Sequence, residues 1–310
     1  MNHISGRWKL GLLLALSTAI MWGVLPVALK GVMETLDPFT VTFFRFSLAG
    51  VLLAPYLWAT GRLTGFPTLL SLGLGGQLLL AGLLLACNYG LYIVGLEKTT
   101  SEAAQVMIQL APMLLLVAGI WVFNESFSRL QWLGVVSFVS GLGLFFNHHA
   151  DDLFVTFNDY GLGMLMVIVA AVCWAGYAIV QKFLLRQFSS QQTMLVFYVI
   201  GALVFLPFSD FAPTQDLSQW QWLLLAFCGV NTLIAYGCFA EALAHLEASR
   251  VSAIIALTPL LTVLIVQLRP IEGIVAEPLG ALSLLGALMV VCGSVTAATA
   301  KGQTTATADD

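Results

Sequence analysis

Apolar runs of about the length of a membrane helix recur along the chain, separated by short polar stretches that hold most of its charges. A helix needs about 20 apolar residues to cross roughly 30 Å of hydrocarbon. The pattern predicts ten spans, at roughly 8–29, 39–59, 70–95, 101–123, 130–147, 160–184, 191–208, 221–245, 250–268 and 279–299. Strand-like alternation is absent, and backbone in lipid must be hydrogen-bonded within its own segment, so helices are predicted rather than a barrel. Arg7 and Lys9 precede the first run, as in a secretory signal. Its length, Trp22, Pro26 and the many later runs identify it instead as a retained span. The fold class is an all-α polytopic membrane protein.

The pattern repeats. AIMWGVLPVALK (19–30) returns as AVCWAGYAIVQK (171–182), with Trp in fourth place and Lys in last, at an offset of 152. The same offset lays RFSLAGVLLAPY over FYVIGALVFLPF, so that Pro55 meets Pro207, and puts Gly134 and Gly141 over Gly286 and Gly293. At an offset of 147, NYGLYIVGL (88–96) lies over AYGCFAEAL (235–243), and QLAPMLL (109–115) over ALTPLLT (256–262). Loops are the natural place to lose the difference. Two units follow, 8–147 and 160–299, each of five spans. Five is odd, so the second unit is expected to enter the membrane from the opposite side, the inverted-topology repeat of many secondary transporters.

Composition narrows the class. The chain is 59% hydrophobic and 9% charged, where a soluble domain carries about 25% charged residues. Net charge, −4, says little. The distribution of basic residues says more. With the N-terminus inside, Arg7, Lys9, Arg62, Arg129, Lys182, Arg186, Arg250 and Lys301 are cytoplasmic, while Lys30, Lys98 and Arg269 are outside. The acidic loops at 148–159 and 209–220 then lie outside, and both termini are expected in the cytoplasm. Cys87, Cys173, Cys228, Cys238 and Cys292 lie in apolar runs without CxxC spacing, so they read as buried thiols rather than a disulfide framework.

WG in the first span, FFRF at 43–46, AP in the fourth span, NESFSRLQWLG at 124–134 and the five-plus-five plan resemble the drug/metabolite transporter superfamily, and within it the EamA-type exporters. The resemblance covers roughly residues 10 to 298. It implies a ten-helix transporter of a bacterial inner membrane with a central cavity between its halves. It also implies export of amino acids, their derivatives and other small metabolites. QLRPIEGIVAEPLG (267–280) departs from this plan, as an extended, Pro-broken connection.

Several residues are candidates for transport. Pro112 and Pro259 sit at matching places in the fourth and ninth spans, where each removes a backbone donor and frees the carbonyl of Ile108 or Ile255. Interrupted spans in corresponding positions point to a binding site; a purely structural kink is the other reading. Gln105 and Gln109 share a helix face with Pro112, for substrate contact or helix–helix bonding. Trp22, Trp174, Tyr177, Gln181, Asn88 and Tyr92 offer large or amide side chains to an amphipathic metabolite, or to helix packing. Glu241 lies in a stripe with Asn231, Cys238 and His245. It is a proton-coupling candidate with His245, or else an interfacial partner of His245 or Arg250. Arg45, two turns into the second span, suits an ion pair or a helix C-terminus, and alternatively a substrate carboxylate.

His148, His149, Asp151 and Asp152 read as a solvated turn rather than a metal site, and no GxxxxGK[ST] loop offers ATP as a direct energy source. No cofactor, metal or nucleic-acid partner is expected. The expected partners are a small-molecule substrate and the bilayer. Small residues such as Gly134, Ser137, Gly141, Gly286 and Gly293 are expected either to pack the halves together or to mediate a homodimer. The function read from the sequence is a secondary transporter, not an enzyme, exporting amino acids or related metabolites by alternating access. A passive facilitator without proton coupling is the alternative. An intramembrane enzyme would need a polar catalytic pair, and a silent scaffold would leave the glutamines without a ligand.

Overall fold

The computed structural model describes residues 7–63, 73–122, 127–154, 156, 158–246, 248–268, 276 and 279–300. Its helices are α1 (Trp8–Met33), α2 (Pro38–Ala59), α3 (Gly75–Lys98), α4 (Ser101–Met107), α5 (Leu110–Val122), α6 (Arg129–Phe145) and the short α7 (Ala150–Phe154). They continue as α8 (Asp159–Leu184), α9 (Ser190–Phe205), α10 (Gln219–His245), α11 (Ala248–Ile255), α12 (Thr258–Leu268) and α13 (Ala281–Thr299). Among the described residues there is no strand.

Eight helical stretches of the described residues are long and apolar enough to cross a membrane. Two of the ten predicted spans fall short alone. α6 reaches the length only together with Asn147–Leu153, from which it is bent by 56°, and the ninth span is the shorter apolar helix Ala253–Leu268. A total of ten therefore requires counting both. The 267–280 connection lies largely outside the described residues.

Polar residues placed at the ends of apolar runs start the helices. Asp37 accepts from the amides of Phe39 and Thr40, with Pro38 preset in the first turn. Ser128, Ser189 and Ser218 each form a capping box with a glutamine three residues on. Each such cap satisfies amides that the helix itself cannot, stabilising its start by about 1 kcal/mol. Tryptophans mark the same levels: Trp8, Trp58, Trp132, Trp220 and Trp222 are exposed near helix ends, as rings at a membrane–water boundary are. Between them the exposed side chains are largely aliphatic, Leu133, Leu203 and Leu223 for example.

The fourth and ninth spans are broken near the predicted prolines. α4 gives way to α5 at Ile108–Gln109, and α11 to α12 at Ala256–Leu257. Each break lies within the four residues before a proline, where the missing donor and the ring clash act. The carbonyls of Ile108 and Ile255 find partners locally. Ala111 N donates to the first at 2.9 Å, and Thr258 Oγ1 donates to the second.

The halves pack through antiparallel helix pairs. α3 lies on α8, with Gly95 against Gly163 and Leu84 against Gly176, while α1 lies on α10, with Gly31 near Leu224 and Gly11 near His245. α2 meets α9 through Phe46 and Gly201, and through Gly50 and Tyr198. α6 meets α13 through Gly134 with Gly293 and Gly141 with Gly286. In the repeat register two of these contacts are reciprocal: Gly134–Gly293 mirrors Gly286–Gly141, and Gly11–His245 mirrors Gly163–Lys98. Ser137 Oγ also donates across the last pair to the Met289 carbonyl. These small residues are thus used within one chain.

Two side chains tie equivalent places in opposite directions. Asn88 Nδ2 donates to the Ala170 carbonyl at 2.8 Å, and Thr18 Oγ1 donates to the Ala235 carbonyl at 3.2 Å. Thr18 is the counterpart of Ala170, and Ala235 that of Asn88.

Candidate functional site

A cavity of about 500 Å³ lies between the halves. Its walls come in repeat-related pairs: Trp22 with Trp174, Tyr89 with Tyr236, and Tyr92 with Phe239. The two broken spans supply three more, Ile108 with Ile255, Gln109 with Ala256, and Ala111 with Thr258.

The rings of the aromatic wall pack against one another. Trp22 meets Tyr236 edge-on with ring centroids 5.2 Å apart, and Phe239 at 5.9 Å. Tyr236, Trp174 and Tyr89 face the same cavity. The Arg45 guanidinium sits 4.6 Å over the Tyr89 ring.

Polar groups punctuate the cavity. Tyr92 donates from its hydroxyl to Gln105 Oε1 at 3.2 Å, and Gln105, Gln109 and Asn88 are buried along the lining. Asn231 donates through Nδ2 to the Met21 carbonyl at 2.7 Å, which leaves Oδ1, fully buried, without a hydrogen-bond partner. Lys182 and Ser294 complete the polar lining. Among the described residues the lining contains no Asp, Glu or His. Such a site can stack an apolar or aromatic body and hydrogen-bond a polar head.

Of the residues singled out from the sequence, Trp22, Asn88, Tyr92, Gln105, Gln109, Pro112 and Trp174 come together here. Tyr177 and Gln181 do not. The cavity stripe of α8 is Trp174, Ala178 and Lys182, spaced by four. Tyr177 and Gln181 lie on the adjacent stripe, facing α9, where the Tyr177 hydroxyl reaches Met194 Sδ and its ring packs edge-on to Phe197. Pro259 is buried in α12 beside the lining residue Thr258 but does not itself line the cavity.

Glu241 lies two residues beyond Phe239, about 200° round a helix of 3.6 residues per turn. It is 63% exposed and pairs with His245 at 3.3 Å. Neither lines the cavity. Arg45, in contrast, does, and so do Tyr89 and Tyr236. The signal for the tyrosines was the YG shared by NYGLY and AYGCF in the repeat register.

His149 and Asp152 form part of the link between the halves. The imidazole Nδ1 lies 2.8 Å from Asp152 Oδ2 and its ring stacks on Tyr160, while Asn158 donates to Asp152 Oδ1. The hydrogen bond with His149 holds the Asp152 carboxyl below the usual carboxylate range. No group of three or more metal-ligating side chains occurs among the described residues.

The chain is similar to known proteins over most of its length. An inner membrane transporter of Escherichia coli (strain K12), YhbE, is 37% identical over 292 residues, covering 92% of this chain and 90% of its own. A transporter of Haemophilus influenzae is 35% identical over 294 residues, covering 93% and 94%. A solved crystal structure, 17% identical, superposes with a TM-score of 0.61 over 93% of this chain and 96% of that one, a likeness of fold. The model of the EamA-like transporter family matches residues 9–147 and again 161–299. A multi-pass chain with two copies of this unit is a membrane transporter, and it belongs to the EamA-like transporter family.

Proposed function

We propose that the protein is a secondary carrier of small amphipathic metabolites of the amino-acid kind, moving them outward across a bacterial inner membrane by alternating access. The observation that carries this reading is the cavity itself. It lies between the two halves, its walls are repeat-related pairs, and both broken spans border it. A site on a pseudo-two-fold axis is built from the same parts whichever side it opens to, as inverted-repeat carriers require.

The antiparallel, reciprocal helix pairs support an inverted relation between the halves. The lining reaches Lys182 and Ala298, near the C-terminal ends of α8 and α13. With ten alternating spans those ends share the face on which α1 begins. The excess of basic residues favours that face as cytoplasmic, so the cavity in this state is directed inward. The inner-membrane relative YhbE supports the location.

The test is uptake of a panel of labelled amino acids and related metabolites into liposomes holding the purified protein, with and without a pH gradient. Saturable uptake supports the carrier, and its absence for every compound overturns this substrate class. A second reading, a facilitator without proton coupling, is favoured by the lack of Asp, Glu and His among the described lining residues. Saturable uptake indifferent to the gradient would select it.

A further inference from the structure

We infer that a carboxylate is the group by which this cavity recognises its substrate, and that Arg45 is the residue that takes it. Arg45 is 3% exposed and lines the cavity. A guanidinium is a cation, and a buried charge is strongly disfavoured unless it is compensated. Among the described residues no Asp or Glu lies within ion-pair distance of it. It has one hydrogen bond, from Nε to Thr232 Oγ1 at 3.3 Å, and the face of Tyr89. Thr232 Oγ1 spends its own proton on the Cys228 carbonyl at 2.9 Å, so it is fixed as an acceptor for Arg45.

Thr232 and Tyr89 orient the guanidinium without neutralising it. The two terminal nitrogens retain the planar fork that a carboxylate matches with a pair of hydrogen bonds. The aromatic walls described above then receive the apolar body of the same molecule.

The lining offers an ammonium no acid among the described residues. Its one unpartnered buried amide oxygen, Asn231 Oδ1, is neutral. The carboxylate is therefore required and an α-ammonium dispensable: the substrate class is aromatic or branched carboxylic acids, with or without an amino group. This deepens the carrier reading and rests on it only for the claim that the bound anion is then moved.

Calorimetry on the purified full-length protein in detergent tests it with four probes that share one phenyl body. They are 3-phenylpropanoate, its amide, phenylalanine and phenethylamine. The expected result is that the two carboxylates bind within about threefold of each other, and that the amide and the amine bind at least tenfold more weakly. Arg45→Gln should remove the gap between acid and amide, and Arg45→Lys, which keeps the charge but not the fork, should narrow it. The wild-type panel decides the matter if neither variant folds. Amide or amine binding as well as the acid, phenylalanine binding more than tenfold tighter than 3-phenylpropanoate, or binding of neither carboxylate overturns the assignment. So does an Arg45→Gln protein that still discriminates acid from amide. Binding without transport in liposomes would leave the anion site standing and sink the carrier reading. Transport of acid and amide alike would do the reverse.

Discussion

Gly134 lies so close to Gly293 that a Cβ on the first would stand 2.8 Å from the carbonyl oxygen of the second, and the reciprocal distance is 2.6 Å. Backbone meets backbone there, so no rotamer can relieve an added methyl. Gly134→Ala is expected to destabilise the protein by about 1–3 kcal/mol through overpacking. Gly143, on the same helix with nothing near its missing Cβ, is the control: Gly143→Ala should be neutral or stabilising by up to about 1 kcal/mol. Thermal melts of both variants in detergent check this. Equal melting temperatures would mean the α6–α13 seam is not packed as described.

Trp174 and Tyr177 separate cavity from core on one helix. Trp174→Ala removes a wall of the cavity and should weaken binding of a transported substrate about tenfold, or about 1.4 kcal/mol. Tyr177→Phe removes only a hydroxyl directed at Met194 and should leave the KM within about twofold. Initial rates of uptake over a range of concentrations give both values. A larger effect at Tyr177 than at Trp174 would place the binding face on the wrong stripe.

Glu241, a proton-coupling candidate from its place in the sequence, is exposed on α10 away from the cavity and paired with His245. Glu241→Gln is expected to transport with an unchanged dependence on external pH. A flattened pH profile in that variant would return Glu241 to the mechanism.

Pro112 holds open the break between α4 and α5. Pro112→Ala restores a backbone donor toward the Ile108 carbonyl and lifts the penalty of about 3 kcal/mol that a proline sets on a continuous helix there. The variant should melt no lower than the wild type yet turn over at least about fivefold more slowly, because a continuous helix no longer bends at the cavity. Unchanged turnover with raised stability would make the break a packing feature only.

The helices, the repeat and half of the cavity were legible because each has a one-dimensional signature. Apolar length gives a span, and Trp22 and Trp174 keep their spacing across copies. The stripe facing the cavity was less legible. Residues three and four positions along a helix both share a face with the first, and only packing against α9 turns Tyr177 inward while Ala178 and Lys182 face the cavity. The two readings of Arg45 could not be separated in the sequence for a different reason. A span-embedded arginine ordinarily has an acid partner, and the lack of one within reach is a three-dimensional fact.

Arg45 has one further consequence. Its counterpart in the second half is Phe197, buried in the apolar packing between α8 and α9. Six pairs of lining residues recur across the repeat, so a ligand that touched those alone would meet similar surroundings when turned end for end. Arg45, like Lys182 and Asn88, lines the cavity without its counterpart and breaks that tie. It gives the occupant a head and a tail, and lets a duplicated, nearly symmetric frame hold a molecule that has no symmetry of its own.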